Sequence, residues 1–149
     1  MNRCLPILLL AILAVGCHPK TAGRDSTVQR SEQDRVIRQV NDTLSKHGFV
    51  QMPCLDPGTV GGVVKQCFAF HGQPEDLLAP LSGDLGQSGK KIMQWRQDVG
   101  IWASRYEFGA DQTYDMMLGL IAKGLDPVLS DKPKLKAYDG YAWYSLAAQ

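Results

Sequence analysis

The sequence predicts an α+β fold, in which a curved antiparallel sheet of about four strands carries an N-terminal amphipathic helix on one face. Two observations lead to this prediction. Several segments in the second half alternate apolar and polar side chains and are separated by turn residues, which is typical of strands. Near the start of the domain, apolar residues instead follow helical spacing. They predict a helix over residues 31–47 with its core-facing side chains at Val36, Ile37, Val40 and Leu44.

Both ends of this helix carry recognisable signals. Ser31 and Asp34 match a capping box, in which each side chain bonds the other's backbone N–H. Gly48 is placed where helices commonly end in a left-handed residue. We expect Phe49 and Val50, which follow, to enter the core.

The next strand is predicted over residues 63–70, after a loop over residues 53–62 that is rich in proline and glycine. Successive side chains of a strand point to opposite faces. Phe68 and Phe70 therefore share one face of the sheet, and Cys67 lies on the other.

A short or kinked helix is predicted from Pro74 onward, because Pro80 interrupts the pattern. The glycines of residues 83–89 predict a loop after it. Residues 92–99 fit a strand or a helix equally well, and the sequence leaves both open. The apolar residues of the predicted helix are four positions apart, at Leu77, Leu81 and Leu85.

The C-terminal part predicts a hairpin and a last strand. Residues 101–108 and 114–120 alternate around a turn at residues 109–112. The last strand is predicted over residues 135–146, with a bend at Gly140.

The beginning of the chain has the pattern of a secretory signal. Arg3 gives it a positive start, and the apolar run over residues 7–15 is shorter than the about 20 residues that span a bilayer. Small residues then precede Cys17. The segment Leu13-Ala14-Val15-Gly16-Cys17 resembles the lipobox of bacterial lipoproteins.

This resemblance implies a location for the protein. Residues 1–16 would be a signal peptide removed before Cys17, and Cys17 would carry the acyl chains, palmitate among them, that hold the protein on a lipid bilayer. His18 in the next position, where retention at the inner membrane would need Asp, implies the outer membrane, facing the periplasm. Residues 17–30 would then be the lipidated cysteine with a flexible polar tether, and residues 31–149 a single domain.

The same compartment bears on the other cysteines. Cys4 leaves with the signal peptide, so Cys54 and Cys67 remain as a pair, which in an oxidising compartment predicts a disulfide. A metal site that adds His71 to this pair is disfavoured. Four residues of strand separate Cys67 from His71 by about 13 Å, whereas metal ligands converge on one ion. We expect neither a metal nor a cofactor.

Charge and motifs exclude several functions. The mature chain would carry equal numbers of basic and acidic residues, which argues against a nucleic-acid partner, since such binding depends on neutralising phosphates. The sequence holds no G-x-S-x-G, H-E-x-x-H or strand-linked G-x-G-x-x-G pattern. His71 and Asp76 are the remaining candidates for catalytic residues, and an enzyme would need both in one cleft.

A candidate binding face comes from the crowded aromatic residues near the C-terminus. Tyr138, Tyr141, Trp143 and Tyr144 offer apolar rings with polar tips, which binding surfaces favour. Strand alternation places Tyr141 and Trp143 on one face and Tyr144 on the other. One face must pack on the helix and the other is free to meet a partner; alternatively, all four fill the core.

Three hypotheses of function follow. The first is a membrane-anchored, non-enzymatic module that binds another envelope protein, as an inhibitor, an immunity protein or an assembly factor does. The second is a small-molecule or cell-wall glycan binding module with the aromatic residues as a stacking platform. The third is an envelope hydrolase.

Overall fold

The computed structural model describes residues 26–56, 61–110 and 113–149. The predicted signal peptide, Cys17 and the first part of the tether lie outside these ranges. So do parts of the loop predicted over residues 53–62 and of the hairpin turn predicted over residues 109–112.

The described residues form one open antiparallel sheet of six strands, in the order β1-β2-β6-β5-β4-β3. Two longer helices, α1 (Ser26–Lys46) and α2 (Pro74–Ser88), contribute to the core on one face of the sheet. The strands are β1 (Val50–Met52), β2 (Val63–Phe70), β3 (Lys90–Asp98), β4 (Ile101–Phe108), β5 (Tyr114–Ala122) and β6 (Gly140–Ala148). Between β5 and β6 lie a 3₁₀ turn (Lys123–Leu125), the short helix α3 (Pro127–Ser130) and a second 3₁₀ turn (Pro133–Leu135).

The predicted α+β class with an antiparallel sheet is confirmed, but the strand number of about four is wrong. The sequence missed β1 and left β3 undecided. Both are edge strands, and each lacks a clear pattern. β1 has only three residues. The burial of β3 alternates from Lys90 to Arg96, but its exposed Ile92 is apolar and its more buried Lys91 is charged, so the sequence itself shows no alternation.

Helix α1 begins five residues earlier than predicted, so part of the expected tether is helical. The predicted capping box is also wrong, because Ser31 lies within α1 rather than at its N-terminus. Its hydroxyl donates to the carbonyl of Val28 at 2.9 Å. A distant contact holds this first turn in place. The hydroxyl of Tyr114 donates to the carbonyl of Gln29 at 2.7 Å, and no local sequence pattern reveals such a bond.

The apolar face of α1 and its predicted end are confirmed. Val36, Val40 and Leu44 are fully buried. Gly48 has a φ of +80°, and the N–H of Phe49 donates to the carbonyl of Leu44 at 3.1 Å. Phe49 enters the core as expected, whereas Val50 does not: it lies exposed on edge strand β1.

Helix α2 is continuous through Pro80, contrary to the predicted break and to the loop predicted over residues 83–89. Tertiary contacts override the local signals. Leu81 and Leu85 are fully buried, and the indole N–H of Trp95 on β3 donates to the carbonyl of Leu78 at 3.0 Å. The glycines of this helix, Gly83 and Gly86, lie on its solvent side.

The hairpin of β4 and β5 is confirmed, with Phe108 paired to Tyr114. The start of the last strand is wrong. β6 begins at Gly140, because residues 133–135 form a 3₁₀ turn. The backbone N–H of Asp139 donates to the carbonyl of Phe70 at 2.9 Å and starts the pairing of β6 with β2.

The two faces of the sheet hold separate apolar clusters. The larger core lies between the sheet and the helices α1 and α2. On the opposite face a smaller cluster is covered by the residues that follow β1 and by the segment that joins β5 to β6. Its buried members are Cys67, Ala69, Ile121, Leu129, Leu135 and Tyr141.

Within the described ranges, no helix combines the length and the apolar character that crossing a bilayer requires.

Candidate functional site

The sheet divides the four predicted binding aromatics between its faces. Tyr144 lies in the core beneath α1, fully buried, with its ring stacked on Phe68 at a centroid distance of 6.0 Å. Its hydroxyl donates to Oδ1 of Asn41 at 2.9 Å. Burial raises the pKa of Tyr144, so it stays neutral. Tyr144 therefore does not belong to a presented binding face, and this part of the prediction is corrected.

Tyr141 and Trp143 lie together on the opposite face, with ring centroids 6.0 Å apart and planes inclined by 26°. Only 7% of Tyr141 is exposed, and burial raises the pKa of its hydroxyl. That hydroxyl accepts a hydrogen bond from the backbone N–H of Leu55 at 3.4 Å. Tyr141 is thus packed between the sheet and the residues that follow β1. Trp143, by contrast, is only half buried.

The indole of Trp143 lies across Gly119 of the neighbouring strand β5, to which Trp143 is paired. A Cβ atom at Gly119 would come within 2.5 Å of ring atom Cζ2. The ring therefore occupies the place of the missing side chain, a recognised way of covering a glycine in a sheet. Because any larger residue at Gly119 would displace the indole, the sequence of β5 helps to orient Trp143.

A groove of about 280 Å³ opens beside these two rings. We call it the Trp143 groove. Its walls come from the end of the β1 segment, from β2, from α3 and the residues after it, and from β6. The lining residues are Leu55, Asp56, Lys65, Val128, Leu129, Lys132, Tyr141 and Trp143.

The chemistry of the Trp143 groove is apolar inside and charged at the rim. Leu55, Leu129 and the two rings form the apolar part, and Val128 is 63% exposed at the edge. The ammonium of Lys65 donates to the carbonyl of Asp56 at 3.1 Å. Such a groove accepts an apolar side chain or ring, and Lys132 adds a positive charge beside it.

The predicted disulfide between Cys54 and Cys67 is confirmed, with a Cα–Cα distance of 5.1 Å. It ties the residue before Leu55 to β2. Because Leu55 follows Cys54 directly, the bond restricts one wall of the groove and helps to form it before any ligand arrives.

Tyr138 lies before β6 rather than on it, and it is not among the residues that line the groove. Its ring packs near the imidazole of His71, with a centroid distance of 5.0 Å. The predicted face of four aromatic residues is thus reduced to Tyr141 and Trp143.

The carboxylate nearest to His71 belongs to Asp139 rather than to Asp76. His71 Nδ1 is 3.5 Å from Asp139 Oδ2, and both side chains are more than half exposed. The backbone N–H of Gly72 donates to the same oxygen at 2.9 Å and, together with His71, lowers the pKa of Asp139. Asp76 lies in the first turn of α2.

This arrangement favours a structural role for the pair. Asp139 fixes the backbone N–H that follows His71, at the point where β2 leads toward α2. Among the described residues, the imidazole lies against the carboxylate of Asp139 and the ring of Tyr138.

Sequence reasoning missed the walls of the groove that come from loops. Val128, Leu129 and Lys132 lie between β5 and β6, and Leu55 follows the disulfide. These residues have no common spacing in the sequence, so no periodic pattern joins them. The alternation of β6 was the signal available, and it correctly placed the two rings on one face.

In the part of the chain that the structure describes, no three side chains of histidine, cysteine, aspartate or glutamate are grouped closely enough to hold a metal ion.

Comparison of the chain with protein-family models, with curated proteins and with solved structures finds no match in any of the three. Function is therefore inferred from the residues of this chain.

Proposed function

We propose that this chain is a lipid-anchored protein of the bacterial cell envelope that binds another envelope protein through the Trp143 groove. The lipobox-like segment ending at Cys17 supports the anchor, and the disulfide supports an oxidising compartment. The observation that carries the proposal of binding is the half-buried Trp143 beside an apolar groove with a disulfide-tethered wall.

The burial of the tyrosines favours a protein partner over a glycan. A stacking platform for sugars needs several exposed ring faces, but Tyr141 and Tyr144 are buried. Tyr138 is partly exposed but does not line the groove, so Trp143 is the partly exposed ring among the described lining residues. An apolar side chain from a partner fits a small apolar groove and gains free energy in proportion to the apolar area it removes from water.

The rim suggests what accompanies that apolar side chain. Lys65 and Lys132 are basic, against one carboxylate, Asp56. A partner segment with an acidic residue next to its apolar anchor matches this rim. An inhibitor or immunity protein that blocks an envelope enzyme works by such binding, and so does an assembly factor.

Glycan binding is the alternative, and it depends on the exposed side of the Trp143 indole. Adding muropeptides or cell-wall sugars while recording tryptophan fluorescence tests it. Saturable quenching that disappears in Trp143→Phe with its fold intact would favour this alternative over a protein partner.

The anchor is tested by Cys17→Ser. We expect the wild-type protein to be found in the membrane fraction and the Cys17→Ser protein to leave it, because two or more acyl chains are needed for stable anchoring. Cell fractionation and intact-mass measurement of the purified protein check this. Cys4→Ser is the matched control and should leave both the mass and the fractionation unchanged, since residue 4 is removed with the signal peptide. A wild-type mass that includes Met1 would contradict the anchor.

The groove is tested by Trp143→Ala. Once a partner has been captured from detergent-solubilised envelopes and purified, we expect this substitution to weaken the complex by about 30-fold, the loss typical of a central aromatic contact. Affinity is measured by calorimetry on proteins whose circular dichroism matches the wild type. Met117→Ala, exposed on strand β5, is the control and should bind normally. An unchanged affinity for a folded Trp143→Ala protein would exclude the groove as the binding site.

A further inference from the structure

The turn between β3 and β4 is strained by its first residue. Asp98 pairs with Ile101, and the two residues between them, Val99 and Gly100, have φ values of +47° and +79°. Positive φ at both central positions characterises a type I′ turn, in which the first position favours asparagine, aspartate or glycine. A β-branched residue is a genuine outlier in this conformation.

Packing does not account for this valine. Its side chain is 89% exposed, the largest exposure among the large apolar residues of the described ranges. A residue that strains the backbone and gains no burial contributes nothing evident to folding. Residues that are held in unfavourable backbone conformations are found preferentially at functional positions.

A second apolar side chain lies beside the same turn. Leu125, 58% exposed, packs so closely on Gly100 that a Cβ atom there would be 3.1 Å from Leu125 Cδ1. We call Val99, Gly100 and Leu125 the tip. Leu125 ends the 3₁₀ turn that leads into α3, and Val128 of α3 is an edge of the Trp143 groove. The tip is therefore connected to the groove through a short stretch of chain.

The tip lies at the end of the sheet opposite to the start of α1. The bond between Tyr114 and Gln29 places the beginning of α1 near the β4–β5 turn. Val99 and Gly100 precede β4, whose eight residues span roughly 26 Å. The tip is thus at the end of the sheet that is farther from the point where the segment after Cys17 joins α1.

The charged residues around the tip indicate which kind of surface on the partner would fit it. Asp98 and Asp126 directly flank the tip residues in the sequence, and Oδ1 of Asp126 also accepts the backbone N–H of Val128 at 2.8 Å as the cap of α3. The nearby ammonium of Lys123 donates to the carbonyls of residues 135, 136 and 138, so it is directed into its own chain. An apolar surface bordered by carboxylates is complementary to an apolar pocket bordered by lysine or arginine.

We infer that the tip inserts Val99 and Leu125 into a basic-rimmed apolar pocket of the same envelope protein that contacts the Trp143 groove. This inference rests on the proposed function. It adds a second contact, and it explains why a strained valine stands where asparagine would be more stable.

Site-specific photo-crosslinking in living cells tests the contact. The full-length, lipidated protein carries a photoreactive phenylalanine analogue at position 99, at position 143, or at the control position 92, where Ile92 is exposed on β3. We expect the same partner to be captured from positions 99 and 143 and not from position 92. The peptide attached to position 99 should lie in an apolar pocket bordered by lysine or arginine.

The strain is tested by Val99→Asn. We expect its Tm to rise by about 4 °C, because asparagine adopts this conformation readily, and its affinity for the captured partner to fall about tenfold. A Tm at or below that of the wild type would contradict the strain, and an unchanged affinity would exclude the tip as a contact.

The crosslinks separate the two proposals. Capture from position 143 alone would overturn the tip and leave the groove intact. Capture from neither position would contradict both the tip and the groove as contacts. An adduct of twice the chain mass at position 99 would show that the tip contacts a second copy of this chain instead.

Discussion

Gly140→Ala is expected to destabilise the domain by about 3 kcal/mol, enough to lower its Tm by roughly 12 °C. A Cβ atom at residue 140 would lie less than 3.0 Å from three carbons of the Phe70 ring. The ring cannot move freely, because Phe70 is fully buried and contacts Phe49 at a centroid distance of 5.3 Å. Urea unfolding followed by circular dichroism measures the loss of free energy.

Two comparisons isolate the cause. Gly124→Ala is the matched control, since a Cβ atom there has no neighbour within 4 Å, and we expect a change below about 0.5 kcal/mol. Phe70→Leu removes the ring that clashes, so the double variant with Gly140→Ala should be more stable than the sum of the two single losses. Additive losses would show that the clash with Phe70 is not the reason.

The strands that the sequence predicted correctly lie inside the sheet and pack apolar side chains on the core. β2 was predicted over its full length, and so was β4. In β4 the side chains Ser104, Tyr106 and Phe108 are buried while their neighbours are not, so alternation alone identifies the strand.

The edge strands escaped prediction because they have less to bury. In β3, Trp95 packs on the core and burial alternates from Lys90 to Arg96, but the exposed Ile92 is apolar and the more buried Lys91 is charged, so the sequence does not show the period of two. Bulges and charged residues at an edge also protect it from pairing with other chains. The charged residues that suit β3 to an edge are thus also the reason why its sequence lacks the alternation that predicts a strand.

The sequence predicted the strand residues of the candidate site but not the loop residues that surround them. The alternation of β6 placed Tyr141 and Trp143 together, but the segment that covers Tyr141 comes from residues 123–135, whose position depends on the Lys123 ammonium and its three carbonyl acceptors. Contacts between distant parts of the chain also decided the partner of His71. Asp139 reaches it because β6 pairs with β2 from Gly140 onward.

Replacing both cysteines of the disulfide should have the second large effect. We expect Cys54→Ser/Cys67→Ser to lower the free energy of unfolding by about 3 kcal/mol, since the bond closes a short loop and restricts the unfolded chain. The loss should extend to the Trp143 groove. Leu55 adjoins Cys54 and donates its N–H to Tyr141, so releasing Cys54 frees one wall and adds an ordering cost to binding.

Urea unfolding of the double variant, with and without dithiothreitol, measures the first effect. The reductant should lower the stability of the wild type to that of the variant and leave the variant unchanged. Affinity for the captured partner is then compared without urea, at a temperature where circular dichroism shows that both proteins are folded. A loss of affinity under these conditions is not caused by unfolding of the variant. A variant with wild-type stability would show that β1 and β2 hold the loop without the bond. A variant that is less stable yet binds normally would mean that Leu55 keeps its place through Tyr141 alone.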